Sequence, residues 1–516
     1  MFENIFPIIP FLIVISSTIL SGKVINGLIA GIIAGTILAS HGSFYNCMTL
    51  LISNISLQLH NKDSWFLYTF LIILPSLIEL FLKTGSAEAF ARTMTRAIKG
   101  KRGIEFSAMA SSFCLSIDDY LSILTTGNVI RSLTDKVGIA RVKLAYLIHA
   151  LSGPVVILMP ISSWVATLTA YLKTAGINND DIIRSDPFTV YLHSIAHTMY
   201  SLITMIMVGY VIVSKTSYGP MKQAETSSMP QEIFKDTPDE ITKSSSIYLF
   251  GPLLLLLVTI IGLILYTSDA AFFGGTKSLI EAFKQNSNIF FILASASCIT
   301  FVCTSLYFWY KKLVTVYDCF AAVKTSFNLM HTVLLMIFLL SIFSHIARNE
   351  LKTGEFLAAI AQKYISVNFM PLVFFITAIA IAFSTGTSWG TFGLLLPIGI
   401  PMLLKLHNIV SPVDAHDVPL LYQTIGAIFS GAICGDHLSL FSETTIMSAA
   451  ATQVTPEHHF KTQLPYGIPV IISCIFYFML IGLIKQTTTI QYILFLTATA
   501  LLCISVTWLF NRYWKN

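Results

Sequence analysis

Charge is scarce in this chain. Of its 516 residues only 11% are Asp, Glu, Lys or Arg, against 55% hydrophobic ones, whereas a soluble domain carries about 25% charged residues. With a mean hydropathy of +0.75, a water-soluble globular enzyme is excluded. The eight cysteines form no C-x-x-C pair, which argues against a zinc site or a disulfide framework; seven lie in or beside apolar runs and read as core residues. The alternation of a membrane β-barrel is missing. The net charge of +5 is small and sits in loops, so nucleic acid is not an expected partner. The first residues, "MFENIFPIIPFLIVISSTILSGK", lack the basic start of a secretory signal and read as a retained first helix with nothing cleaved.

What is abundant is apolar run. Stretches long enough to cross a bilayer core recur at 5–20, 24–40, 65–82, 144–172, 190–214, 247–266, 289–309, 325–347, 464–484 and 489–510. Two more, 104–130 and 370–452, are interrupted by polar clusters. The expectation is an all-α polytopic protein of a bacterial inner membrane with roughly ten to thirteen crossings, because backbone groups in lipid must be satisfied within the helix. The lipid bilayer is its first partner, and a homodimer is compatible with the pattern.

Loop charges set the path. The stretch 83–103 carries Lys83, Arg92, Arg96, Lys99, Lys101 and Arg102 against Glu88, and 131–143 carries Arg131, Lys136, Arg141 and Lys143 against Asp135. Both belong on the cytoplasmic side by the positive-inside rule. Two cytoplasmic loops cannot flank one crossing, so 104–130 is expected to enter, turn near Asp118 and Asp119, and return as a re-entrant hairpin. Parity then places 173–189 outside, the linker 215–246 inside and residue 348 outside. Region 370–404, broken at Ser384 to Gly390, reads as a second hairpin from outside. Each hairpin precedes a broken crossing: 144–172, interrupted at Gly153 and Pro154, and 420–452, interrupted around "GDHLSLFSETT". This is the pattern of an inverted-repeat secondary transporter with binding at mid-depth. The expected organisation is N-terminal transmembrane helices at 1–64, a first half at 65–214, the linker at 215–246, a second half at 247–484 and a C-terminal helix at 485–516. The polar segment 43–60 is expected on the surface.

Carboxylates in this setting need partners or a task, since each costs about 2.5–3.5 kcal/mol at the bilayer centre on insertion scales. Asp118 and Asp119 offer hard oxygens to a cation, and like-charge proximity makes proton and metal compete for them; a helix cap accounts for one acid but hardly for both. The second cluster holds Asp436, His437, Ser439, Ser442, Glu443, Thr444 and Thr445, with Gly431 and Gly435 lowering helix propensity before it. "EHHFK" at 457–461 marks a nearby interface, so Asp436 is expected deeper than Glu443. The third cluster, "STGTSWGTFG" at 384–393, brings Thr385, Thr387 and Ser388, with Ser162 and Ser163 opposing from the first half. Two short echoes, "DYLSILT" with "DHLSLFS" and "SSW" with "TSW", occur in reversed order. Glu79 is expected to pair with Lys83, Asn328 to bond between helices, and His149, His193, His197, His331 and His345 to be satisfied inside the bundle.

These residues carry a resemblance. "GSAEAFARTMTRAIKGKRG" at 85–103, "DDY" at 118–120, "RSLTDKVGIARVKLAYLIHALSGPVVILMPISSWVA" at 131–166, "FSTGTSWGTFGLLLPIGIPM" at 383–402 and "GDHLSLFSETTIMSAAA" at 435–451, running on to "KTQLPY", agree in order and spacing. From about residue 65 to 470 the chain resembles the NhaC-type sodium/proton antiporter family. The resemblance implies Na+/H+ exchange, with Asp118, Asp119 and Asp436 as Na+ ligands beside the hydroxyls, and no cofactor. The chain departs from the family's G-D-H-C-S-P-I-S-D-T-T at Leu438, Leu440 and Glu443; losing the proline weakens the expected break, and Glu moves a carboxylate by one methylene. Related carriers also move organic anions, so a small solute is the alternative cargo. An intramembrane hydrolase using Asp119 and Asp436 lacks the glycine three residues before the second acid, and a channel lacks a repeated filter sequence; a non-enzyme is expected.

Overall fold

The computed structural model describes residues 6–21, 23–86, 89, 100–160, 162–228, 245–267, 275–276, 289–484 and 488–514. The basic residues Arg92, Arg96 and Lys99, and positions 229–244 of the expected linker, lie outside them. Among the described residues the fold is helical apart from one two-residue strand pair. Among the described residues nine helices are long and apolar enough to cross a membrane by length and composition.

The N-terminal helices α1 (Ile9–Ser21) and α2 (Val24–Ala39) have 13 and 16 residues. At 1.5 Å per residue neither reaches across a core of about 30 Å. They pack against each other so closely that a Cβ on Gly27 or Gly31 would overlap Thr18 or Val14. Helix α3 (Phe44–His60) follows and turns Asn54 and Gln58 inward while Phe44, Tyr45, Ile52 and Leu57 face out. That polarity is inverted relative to a helix in water and fits one lying against lipid. Helix α4 (Lys62–Lys83) is the first full-length span.

Next come paired and interrupted helices. The pair α5 (Gly100–Cys114) and α6 (Asp119–Val137) turns at 115–118. Helices α7 (Arg141–Val156) and α8 (Ser163–Thr174) follow, then strand β1 (Ile183–Arg184), α9 (Pro187–Ile195), α10 (Met199–Ser214) and α11 (Gly219–Ser227). The interruption falls after Val156, later than Gly153 and Pro154, both of which stay inside α7. Helices α12 (Ile247–Thr267), α13 (Ile289–Tyr310), α14 (Val316–His345) and α15 (Thr353–Tyr364) lead to the second set. It consists of the pair α16 (Met370–Thr385) and α17 (Ser388–Leu406), strand β2 (Val413–Asp414), and the interrupted α18 (Leu421–His437) and α19 (Glu443–Thr452). Helices α20 (Pro456–Gly482) and α21 (Thr489–Tyr513) close the chain.

Gly431 and Gly435 do not weaken α18. They lie inside it, four residues apart, and a Cβ on either would strike the α16 backbone at Phe375 O (2.3 Å) or Ile379 O (2.5 Å). The small residues allow close helix contact, the usual solution where no hydrophobic effect drives association. The break at 438–442 forms despite Leu440 replacing the proline: Ser439 Oγ accepts from Phe441 N (3.3 Å), and Thr445 Oγ1 donates to Ser439 O (2.8 Å).

Ion pairs sort the ends of the bundle. At one end Lys83 pairs with Asp318, Arg141 with Asp135 (2.8 Å), and buried Lys143 with both Glu105 and Glu225 (2.7 Å each). Arg131 also caps Ala451 O (2.9 Å) there. At the other end Lys173 pairs with Asp63, Arg348 with Asp181 (3.0 Å), and β1 runs parallel to β2. The first set is the end that loop charge assigns to the cytoplasm, the second the end assigned outside. Lys83 therefore pairs with Asp318 across helices rather than with Glu79 within its own. Asn328 and His331 sit on the exposed side of α14, where His331 Nδ1 lies against the Asn328 backbone carbonyl (2.6 Å), so Asn328 is not buried between helices as expected. Of the cysteines only Cys434, Cys474 and Cys503 are buried; Cys114 and Cys303 are exposed.

Candidate functional site

Four helix starts meet in the middle of the bundle. The tip of the α5–α6 pair touches the start of α8 through Ser163 N and Ile117 O (2.9 Å). The start of α8 touches the start of α17 through Trp164 and Trp389, whose ring centroids are 4.7 Å apart. The α16–α17 tip touches the α18–α19 break: Gly386, at φ +68°, leaves no room for a Cβ, which would fall 2.9 Å from the Phe441 carbonyl. The ring closes where Tyr120 OH donates to Glu443 Oε2 (2.7 Å). The contacts join backbone, aromatic and carboxylate groups that the turns themselves present.

The adjacent acids have separate roles. Asp118, in extended backbone conformation, is the N-cap of α6 and accepts from Leu121 N (3.1 Å). Asp119, the first residue of α6, lies against Trp164 and within electrostatic reach of both Asp118 and Asp436. Asp118, Asp119 and Asp436 are 3%, 5% and 7% exposed; two ionisable carboxylates from different halves therefore share a water-poor space. Ser163 and Trp164 lie beside the first pair without a well-aligned hydrogen bond from Ser163 Oγ or Trp164 Nε1.

Asp436 lies beside Ser388 and Ser442 and accepts from Thr444 Oγ1 (3.3 Å). Ser388 Oγ donates to Ala432 O (3.3 Å). Glu443, by contrast, is exposed. The remaining residues serve the turns. Thr387 is the N-cap of α17, accepting from Gly390 N (3.4 Å); Thr385 donates back to Ile381 O (2.8 Å); Ser162 Oγ donates to Met159 O (3.4 Å); and Ser439 supports the second break. Among the described residues no group of three or more His, Cys, Asp or Glu is arranged to hold a metal ion. A cation at Asp119 or Asp436 would need hydroxyl or backbone oxygens to complete its shell.

The echoes of sequence acquire a meaning. "SSW" and "TSW" supply Trp164 and Trp389, whose rings meet at a tilt of 53°, and the two "D-x-L-S" segments supply Asp119 and Asp436. They occupy non-equivalent places, a hairpin tip in one half and a broken helix in the other, which explains their reversed order.

Sequence reading missed a histidine cluster. His459, within the segment taken to mark the interface, is fully buried, while its neighbour His458 is exposed. The His149 ring lies 4.5 Å from that of His437 and 5.1 Å from that of His459. His197 meets Tyr477 OH (2.8 Å) as expected of a satisfied histidine, and the exposed His193 bonds Thr189 O; His345 Nδ1 has no hydrogen-bond partner. One signal was available: His459 falls at the fourth position of a helix whose next turns, through Thr462, Gln463 and Tyr466, are equally buried.

Cavities open at the two ends. One of about 1010 Å³ at the cytoplasmic end is lined by residues including Asp135, Arg141, His458, Lys461 and Trp514. One of about 190 Å³ at the other end includes Asp63, Lys173, Asp181, His345 and Arg348.

A model of the Na+/H+ antiporter family matches residues 155–483, more than half of the chain. An uncharacterized protein of Haemophilus influenzae is 27% identical over 492 residues, covering 93% of this chain and 91% of that one. A malate-2H(+)/Na(+)-lactate antiporter of Bacillus subtilis is 33% identical over 99 residues, 19% of each chain. Among solved structures, the YdaH transporter of Alcanivorax borkumensis superposes with a TM-score of 0.56 at 15% identity, covering 87% of this chain and 89% of that one. This last likeness concerns the fold.

Proposed function

The chain belongs to the Na+/H+ antiporter family, and from that premise we propose that Na+ and H+ compete for Asp119 and Asp436 in one occluded pocket, exchanged by alternating access. The protein is an integral, multi-pass secondary transporter. The observation that carries the reading is the position of these acids: one from each half, both buried, within electrostatic reach of each other. Two bare carboxylates there are costly. Binding either ion relieves the cost, so the loaded site crosses between the two faces while the empty one does not. Ser388 and Ser442 add neutral oxygens of the hard type that a group-one cation takes. Asp118 holds the start of α6 so that Asp119 points into the pocket. The two helix pairs act as re-entrant hairpins entering from opposite faces.

One observation favours a second cargo. Helices α6, α8, α17 and α19 all begin at this ring, and their positive dipole ends suit a carboxylate. A small organic acid moving with the cation is the reading that follows.

The test is exchange in proteoliposomes with a pH-sensitive dye. A Na+ gradient should drive proton movement in the wild type and fail to do so in Asp119→Asn and Asp436→Asn. Proton movement only when malate or lactate is added supports the second reading. Cation-independent proton movement, or full activity in both variants, overturns the proposal.

A further inference from the structure

We propose that His459, His149 and Thr444 form a hydrogen-bonded proton relay between Asp436 and the cytoplasmic cavity. This rests on Asp436 being the proton-binding acid of the exchange cycle. The chain of contacts is continuous. Thr444 Oγ1 donates to Asp436 Oδ2 (3.3 Å); His149 Nε2 lies 3.0 Å from Thr444 Oγ1; and His149 Nδ1 lies 2.9 Å from His459 Nε2. His459 Nδ1 is buried and has no hydrogen-bond partner. It belongs to the first turn of α20, beside His458, which lines the cytoplasmic cavity. Three groups, from α19, α7 and α20, thus lead from the acid to the first turn of α20, where the neighbouring His458 lines that cavity.

The direction of each bond can reverse. In one state His459 Nε2–H donates to His149 Nδ1, His149 Nε2–H donates to Thr444 Oγ1, and the hydroxyl donates to the carboxylate. A proton arriving at His459 Nδ1 displaces the Nε2 proton onto His149 Nδ1. The His149 Nε2 proton moves to Thr444, and the hydroxyl proton moves to Asp436. One proton enters, one is delivered, and no group keeps a net charge. In the second state His149 carries its proton on Nδ1, and Gln463 Oε1, 3.0 Å away, accepts it. The orientation of that amide is set independently, because Gln463 Nε2 donates to His437 O (2.8 Å). His149 therefore has a partner in both tautomers, which a purely structural histidine does not require.

Around the relay stand further titratable groups: Asp119 and Glu443 within electrostatic reach of Asp436, His437 from α18, whose ring packs on His149, Tyr200 from α10, 3.5 Å from His437 Nδ1, and His458 at the cavity.

The test uses full-length protein in proteoliposomes with two readouts: Na+-driven proton flux, and exchange of radiolabelled Na+ for unlabelled Na+, which needs no net proton transfer. His459→Gln keeps a hydrogen-bonding side chain of similar reach but cannot relay. Its proton-coupled flux should fall by about 10²-fold, the scale for removing a positioned proton-transfer group, with Na+/Na+ exchange preserved. In His459→Ala, imidazole added on the cytoplasmic side should restore proton flux. Wild-type proton flux in His459→Gln, or equal loss of both readouts with no rescue by imidazole, overturns the relay. Absence of Na+-driven flux in the wild type overturns the exchange reading beneath it, and the two failures are distinct.

Discussion

Replacing Gly386 by alanine should disconnect the hairpin tip from the second broken helix. Gly386 sits at φ +68°, where an L-residue loses about 1–2 kcal/mol. The added Cβ would lie 2.9 Å from both atoms of the Phe441 carbonyl and 3.1 Å from Ser442 N. These are backbone atoms and cannot rotate away, so an overpacking cost of about 1–3 kcal/mol follows. The strain is relieved only by separating Thr387 and Ser388 from Ser442 and Asp436, which opens the pocket. Gly42 supplies the control: its φ is +77° and nothing lies within 4 Å of the place a methyl would take, so Gly42→Ala carries the conformational cost alone. Thermal unfolding of both purified variants should show a loss of about 1–2 kcal/mol in Gly42→Ala and more in Gly386→Ala. Na+-driven proton flux should fall about tenfold or more in Gly386→Ala, since each 1.4 kcal/mol is a decade in rate, and stay near wild type in Gly42→Ala. Equal flux from the two variants would refute the contact between tip and break.

Two further outcomes follow from the packing. Lys143→Met leaves the Glu105 carboxylate, 6% exposed, without its partner, and should destabilise the protein by about 3–5 kcal/mol; in a melt, the double variant Lys143→Met/Glu105→Met should recover most of that loss, and a single variant as stable as wild type would contradict the buried pairing. Gly435→Ala pushes a methyl against Ile379 O in the α16–α18 contact and should cost about 1–3 kcal/mol, while Gly209→Ala, where nothing lies within 4 Å, should stabilise by up to about 1 kcal/mol through helix propensity; the same melts decide between these opposite signs.

Much of this architecture was legible because lipid makes polar residues conspicuous. Asp118, Asp119 and Asp436 stand out from apolar surroundings, and the helix breaks fall where acids, hydroxyls and glycine cluster. Loop charge placed Lys83, Arg141, Arg348 and Asp181 at the ends where their ion pairs form. Other features were hidden by tertiary context. Pro154 read as a break but remains within α7, where burial on all sides holds the helix together. Gly431 and Gly435 read as weak helix but are spacers set by the approach of α16. His459 looked interfacial beside Glu457 and His458, because a single turn of helix separates the exposed and buried positions. That Asp118 caps α6 while Asp119 faces Asp436 depends on the backbone at the tip, which residue types alone do not specify.

The most direct test of a shared pocket is proton release on Na+ binding. Adding Na+ to the purified, weakly buffered wild-type protein should acidify the solution as the cation displaces protons from Asp119 and Asp436, and the signal should vanish in Asp436→Asn. Na+ binding without acidification, or an undiminished signal in that variant, would contradict the account.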